Sequence, residues 1–235
     1  MDEVEWWEFD TPAEMAEQVA GDVAFVVESA IEAHGGARIA LTGGRTPDVV
    51  YEALLKKEID WSKVTLLPTD DRLVPLGDPL SNHAKLQHFF GKTGAEIVSL
   101  VDEAALGNYQ EAGRLGDERL ARLEWPLDLV MLGVGSDGHT ASILPGPDFD
   151  RAVAGPRERR VVGVHPDPMP ADAPVDRVTL TAAAIASARA VMVVLTGDEK
   201  RAVVEKAIEA GPLSSTPIGR VVAEVDASID IFWSR

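Results

Sequence analysis

The stretch Asp128-Leu129-Val130-Met131-Leu132-Gly133-Val134-Gly135-Ser136-Asp137-Gly138-His139-Thr140-Ala141-Ser142 decides the fold. Leu129 to Leu132 is an unbroken apolar run of strand length, the pattern of a parallel strand covered on both faces. It stops in Gly133, Gly135 and Gly138, which allow a tight turn and can present consecutive amide N–H groups. His139 is thereby carried to the carboxyl end of a buried strand, where open α/β sheets place their ligands.

The same grammar repeats on either side. Val4 to Phe9 reads as a short strand, and Thr11-Pro12-Ala13-Glu14 supplies a capping box with Pro at the first helical position. Met15, Val19, Val23, Val26 and Ala30 then recur at helical spacing up to Gly35-Gly36. Arg38 to Leu41 is a strand that turns through Thr42-Gly43-Gly44-Arg45-Thr46-Pro47 into a helix over Asp48 to Leu55. Val64 to Leu67 is a strand ending in Thr69-Asp70-Asp71-Arg72. Ser81 or Asn82 caps a helix to about Phe90, Glu96 to Leu100 reads as a strand, and Tyr109 to Leu123 as a helix.

Beyond the central stretch, Pro145 to Arg160 is expected to be a surface loop. It is followed by strands Val161 to Val164 and Arg177 to Leu180, a short helix Ala182 to Ala188, a strand Ala190 to Leu195 and a helix Arg201 to Ala210. A helix near Gly219 to Glu224 and a strand Ile229 to Trp233 close the pattern. No repeat or linker divides the chain, so the expectation is one doubly wound, three-layer α/β domain over residues 1–235, with a mostly parallel sheet between helices.

Composition limits what such a domain can bind. A formal net charge of −17 over 235 residues repels nucleic acid and anionic membrane surfaces, so neither is an expected partner. An acidic substrate would have to be captured by backbone amides, helix N-termini and a few placed cations, which makes each such cation informative. There is no cysteine, so disulfide and thiolate chemistry are excluded. The acidic opening Met1-Asp2-Glu3-Val4-Glu5 and the lack of any apolar run of membrane-spanning length point to a cytoplasmic protein. The expected assembly is a monomer or a weak homodimer, which no feature of the sequence decides.

Several motifs carry chemistry. Thr42 to Pro47 combines glycines, hydroxyls, a guanidinium and a helix N-terminus, the parts that hold a phosphate, although a plain strand-to-helix turn has the same look; it is not a Walker A loop. Asp70-Asp71-Arg72 offers a hydroxyl acceptor and a second phosphate fork, or else a solvated acidic turn. Gly133-x-Gly135-x-x-Gly138 matches the dinucleotide fingerprint formally, but Pro145, Gly146 and Pro147 leave no room for the long helix that fingerprint needs. Gly-x-Ser-x-Gly fails around Ser136, because Val134 stands where the first glycine belongs.

His139 is the acid–base candidate, with Asp137 to orient its ring and the glycine amides to stabilise an oxyanion. Lys200, opening a helix after Gly197, can add an ammonium to an anion site. His165 ends a strand and either reaches the substrate or packs. His34, His83 and His88 are expected on helix surfaces or ends, and no His pair has the spacing of a helical metal site, so no metal and no cofactor are expected.

Taken together, Gly43-Gly44-Arg45-Thr46-Pro47, Asp70-Asp71-Arg72-Leu73-Val74-Pro75 with Ser81-Asn82, and Leu132 to Ser142 resemble the 6-phosphogluconolactonases in order and spacing. The resemblance continues through Arg177-Val178-Thr179-Leu180-Thr181 and Gly197-Asp198-Glu199-Lys200, so it covers nearly the whole chain. It implies hydrolysis of 6-phospho-D-glucono-1,5-lactone to 6-phosphogluconate, in the oxidative pentose phosphate pathway, without a cofactor. It also implies a fold shared with glucosamine-6-phosphate deaminases.

The deaminases are the rival reading. Their pattern after Asp-Gly-His continues Ile-Ala-Phe-Asn-Glu-Pro, whereas here Thr140-Ala141-Ser142-Ile143-Leu144-Pro145 stands, so their glutamate is absent. A sugar-phosphate sensor without turnover is the reading from another class, and the retention of His139 beside Asp137 speaks against it. Carried over, the resemblance gives Gly43, Gly44, Arg45, Thr46, Arg72 and Lys200 the phosphate and His139 the lactone carbonyl, with Asp70, Asn82, Gly135 and His165 as further substrate contacts. Asp71 stands where that family usually has Glu, and Thr42 where it often has Ser.

Overall fold

The computed structural model describes residues 4–144 and 146–235. Seven strands form one parallel sheet: β1 (Val4–Phe9), β2 (Ala37–Leu41), β3 (Val64–Pro68), β5 (Glu96–Ile97), β6 (Leu129–Leu132), β9 (Val191–Thr196) and β10 (Ile229–Ser234). Their spatial order is β1-β10-β9-β6-β2-β3-β5. The doubly wound, mostly parallel sheet expected from the apolar runs is the architecture observed.

All four residues of β6 are buried, and they divide between two layers as the pleat requires. Leu129 and Met131 face the layer built on α1 (Pro12–His34), α2 (Thr46–Leu54) and α3 (Asn82–Phe90). Val130 and Leu132 face the layer built on α4 (Tyr109–Leu120), α5 (Phe149–Val153), α6 (Ala182–Ala186), α7 (Asp198–Ala210) and α8 (Pro217–Val222). Each fully buried side chain of this size stabilises the fold by about 1.5–3 kcal/mol relative to exposure, so four of them in one strand fix its register.

Local signals act as written. Thr11 accepts the Glu14 amide while Glu14 reaches back to the Thr11 amide, and Gly35 ends α1 in the left-handed region at φ 86°. Ser81 caps α3 through the Ala84 amide.

Four expectations are corrected. Asp70–Arg72 does follow the carboxyl end of β3, but it is not a solvated turn: it is β4, which pairs antiparallel with β8 (Arg177–Leu180); β8 pairs in turn with β7 (Val161–Val164), making a separate three-stranded sheet. Asp71 is 0% exposed, its carboxylate turned onto the start of α3, where Ser81, Asn82 and His83 donate to it. The stretch expected to be a surface loop contains α5, which buries Ala152 and Val153. The strand at Glu96 is only two residues long, and α7 begins at Asp198 rather than Arg201, so Lys200 lies in its first turn. Among the described residues no helix is long and apolar enough to cross a membrane.

The strand order fixes where a ligand can sit. From β2 the chain moves toward β3 and β5, and from β6 it moves toward β9 and β10. Neighbouring strands whose outgoing connections diverge leave a crevice at their carboxyl ends. The turn Thr42–Thr46 and the turn Gly133–His139 face each other across it.

Candidate active site

A cavity of about 310 Å³ occupies that crevice. Its lining joins Thr42, Gly43, Gly44, Arg45 and Thr46 from the β2 turn with Gly133, Gly135 and His139 from the β6 turn. Asp70 and Arg72 of β4, Asn82 of α3, Lys200 of α7 and Asp172 also line it. Residues far apart in sequence thus converge, including nearly all those the motifs singled out.

The β2 turn is built as an anion cradle. Its shape is held from behind, where Tyr51 Oη donates to the Thr42 carbonyl (2.5 Å) and Lys85 Nζ donates to the Gly44 carbonyl (2.5 Å) and to Asp48 (2.6 Å). Gly44 has φ 94°, a conformation L side chains avoid, and a Cβ added at Gly43 would overlap the Asn82 amide packed on it. Among the described residues the amides of Gly43, Gly44, Arg45 and Thr46 donate to no protein acceptor. Unengaged amides at the start of a helix form a concavity suited to a phosphate.

Cations surround the cradle. Arg45, Arg72 and Lys200 line the cavity, and none of them has a carboxylate within salt-bridge distance among the described residues. Arg72 donates from Nη1 to the Leu80 carbonyl (2.8 Å), and its buried Nε has no partner among the described residues. In a chain of net charge −17, three cations left without a counter-charge in one cavity mark the place of an anionic ligand.

Opposite them stands the acid–base pair. Asp137 Oδ1 lies 2.5 Å from His139 Nδ1 and also accepts the His139 amide at 3.2 Å. The hydrogen bond to the imidazole holds the Asp137 carboxyl down to about 2, against a smaller effect of burial. An ionised partner on Nδ1 keeps the proton there and leaves Nε2 as the free base.

Gly135 is needed here for space. A Cβ at that position would overlap the His139 ring and crowd Asp137. The amides of the turn are partly spent: Gly135 N–H donates to the His139 carbonyl (2.9 Å) and Gly138 N–H to the Gly135 carbonyl (3.0 Å). The expectation that the glycine amides serve as oxyanion donors therefore fails for these two, since each donates inside the turn it closes.

The remaining wall is polar and buried. Asp70 accepts from Ser142 Oγ (2.5 Å) and Thr69 Oγ1 (3.3 Å), and Asn82 Nδ2 donates to the Asp70 carbonyl (2.8 Å). Asp71, just behind the wall, accepts from Arg72 N, Ser81 Oγ, Asn82 N and His83 N. Burial pushes its carboxyl up to about 6, although the Asn82 and His83 amides pull the other way.

Not every candidate joins the cavity. His165 is outside the lining, with Nδ1 2.6 Å from Asp176 and its ring against Tyr109. His34 closes α1 against Asp128, and His83 is buried at the start of α3, where burial lowers its pKa. Sequence reasoning missed Asp172 and Ala141, both in the cavity wall. Ala141 adopts φ 49°, a left-handed backbone that no glycine announces. Among the described residues no three His, Asp or Glu side chains converge as a metal site.

Fold and cavity together define an open parallel α/β protein with an anion cradle and a His–Asp pair at its switch point. Residues 10–233 match the family described as Glucosamine-6-phosphate isomerases/6-phosphogluconolactonase, and the chain belongs to it. A 6-phosphogluconolactonase of Neisseria meningitidis is 33% identical over 98% of this chain and 99% of its own length. One of Mesorhizobium japonicum is 35% identical over 97% and 94%. The crystal structure of a 6-phosphogluconolactonase from Shewanella baltica superposes with a TM-score of 0.90 at 29% identity, covering 100% of this chain and 99% of that one.

Proposed function

We propose that the chain hydrolyses 6-phospho-D-glucono-1,5-lactone to 6-phospho-D-gluconate, in the oxidative pentose phosphate pathway, by general acid–base catalysis. The observation that carries this reading is the pairing of an Asp137-oriented His139 with a cradle that, among the described residues, holds three unpaired cations and four unengaged amides. The full-length relatives named above support the choice of substrate.

In this reading the 6-phosphate sits on the amides of Gly43, Gly44, Arg45 and Thr46, with Arg72 and Lys200 at its oxygens. The lactone carbonyl then faces His139. Nε2 takes a proton from a water molecule as its oxygen bonds to C1, giving a tetrahedral oxyanion. When the C1–ring oxygen bond breaks, the carbonyl reforms and the imidazolium returns its proton to the departing ring oxygen, which becomes the C5 hydroxyl. A lactone is an activated ester, so general-base help of about 10²–10⁴-fold suffices without a covalent nucleophile. Asp70 and Asn82 supply hydroxyl contacts from the buried wall.

The deaminase reading is disfavoured by particular residues. The segment after His139 presents Thr140, whose hydroxyl is bound to the Gly133 carbonyl (2.9 Å), and Ser142, whose hydroxyl is bound to Asp70, with no glutamate in the cavity wall. The reading takes residues 1–235 as one cytoplasmic domain, a monomer or weak homodimer, acting without cofactor, nucleic acid or membrane.

The test is a lactonase assay of the wild type and His139→Ala, with binding of 6-phosphogluconate measured in parallel. Acceleration of lactone opening that His139→Ala abolishes, with binding retained, is the expected result. Binding without acceleration in the wild type would leave a sensor, and ammonia release from glucosamine 6-phosphate would make the chain a deaminase.

A further inference from the structure

Two residues assigned to the substrate, Arg72 and Asn82, stand at the two ends of the segment Leu73 to Ser81. One side chain outside the cavity wall touches both ends. Asp71 Oδ1 accepts the Arg72 amide (2.8 Å) and the Asn82 amide (2.6 Å), while Oδ2 accepts Ser81 Oγ (3.0 Å) and the His83 amide (3.1 Å). The Arg72 guanidinium, in turn, rests on the Leu80 carbonyl at the far end of the same segment. Asn82 then packs its amide on Gly43, in the floor of the cradle.

Following these contacts outward, the geometry points to Asp71 as a positioning residue. Its carboxylate clips the segment Leu73 to Ser81 shut and so sets Arg72 and Asn82 against the Gly43–Thr46 cradle. This rests on the functional reading above and names how that site's phosphate end is held in register.

Helix capping alone does not account for Asp71. Ser81 already caps α3 through the Ala84 amide, so a cap alone does not call for a second acceptor. Four donors meet two carboxylate oxygens, two on each. An amide at this position cannot reproduce that set, because either flip turns an NH₂ group toward a backbone N–H. Asp71 is fully buried, so water cannot take over the lost bonds.

The experiment compares Asp71→Asn with Ser81→Ala, which loses the helix cap and one of the four bonds to Asp71 but leaves the Arg72, Asn82 and His83 amides on the carboxylate. KM and kcat for the phosphorylated lactone, the Kd of inorganic phosphate by calorimetry and the thermal midpoint are measured for each. Asp71→Asn should raise KM and the phosphate Kd about tenfold with kcat within about threefold, as expected for the weakening of one charge-assisted contact. Ser81→Ala should lower the thermal midpoint while leaving KM and Kd within about twofold of the wild type. If Asp71→Asn does not accumulate as folded protein, Asp71→Ser carries the same readouts.

Equal KM shifts in the two variants would overturn the proposal and reduce Asp71 to a structural acid, as would a loss confined to kcat. A wild type that binds phosphate without lactonase activity would sink the functional reading alone. The phosphate Kd would still decide the role of Asp71.

Discussion

The two ends of the parallel sheet carry the same residue types put to different uses. At the amino end, below β2 and β6, Asp128 is 2% exposed and faces His34 Nε2 (3.0 Å), the Arg38 amide (2.8 Å) and Arg189 Nε (3.3 Å). At the carboxyl end, Asp137 holds His139, and Arg45, Arg72 and Lys200 stand nearby without a carboxylate partner among the described residues. The first cluster is a closed account of charges and donors; the second is open toward a missing anion. A third pair, His165 with Asp176, lies outside the cavity. A His–Asp pair is therefore no sign of catalysis by itself. What distinguishes one of the three is that its neighbours keep unspent donors.

The strongest way to break this contrast is to remove the base from the open end. His139→Ala should lower kcat by about a thousandfold, within the range general-base catalysis supplies, with KM changed far less. Steady-state assay of lactone opening, corrected for the spontaneous rate, measures it. A tenfold effect or less would mean the cradle alone does most of the work.

The buried aspartates differ in a way that pH can read. Asp128 has an arginine and a histidine within reach, whereas all four groups that donate to Asp71 are neutral, and its carboxyl stands at about 6. A native carboxyl that holds its proton more tightly than the unfolded chain stabilises the fold at low pH. That contribution is lost as pH rises from about 4 to about 6, and amounts to about 3 kcal/mol for a shift of this size. Denaturant unfolding of the wild type and Asp71→Asn across this window should show the stability difference drifting in that direction. A flat difference would mean that the Asp71 carboxyl holds its proton no more tightly in the fold than in the unfolded chain.

Two substitutions probe the open end more finely. Arg72→Ala should raise KM for the phosphorylated lactone about fiftyfold, the loss of a charge-assisted pair, with kcat less affected. An unchanged KM would remove Arg72 from the phosphate site. Gly135→Ala places a methyl group where the His139 ring lies, so the ring must move. We expect kcat to fall about tenfold or more with little change in phosphate Kd, since displacement of a catalytic group by about an ångström is costly.

How far the site could be read from sequence depends on how local its causes are. β6 and its turn were legible because an apolar run, three glycines and a histidine lie within one short segment. The Thr42–Thr46 cradle was legible for the same reason, and so were Arg72, Asn82 and Lys200 as members of motifs. β4 was not, because Asp70-Asp71-Arg72 becomes a strand only when Arg177–Leu180 pairs with it from far downstream. The packing of that strand's Asp71 on the start of α3 turns an apparent surface acid into an internal clip. Asp172 lies in a proline-rich segment with no periodicity, so nothing in the pattern aimed it at the cavity. The amides of Gly135 and Gly138 looked free because glycines permit a turn; which hydrogen bonds close that turn is a matter of its geometry.

The smallest expected effect tests the closed end. His34→Ala removes one of the partners of Asp128, but the Arg38 amide and Arg189 remain, so the carboxylate keeps donors on both oxygens. The cost should be about 1.5–3 kcal/mol of unfolding free energy, the range for one lost bond to a charged group. His34 stands at the sheet's amino edge and the cavity at its carboxyl edge, so kcat and KM should stay within about twofold. Paired denaturation and kinetic measurements on this one variant read both quantities. A large kinetic loss would show that the two ends are coupled through β2 and β6, and that the closed cluster helps set the position of the open one.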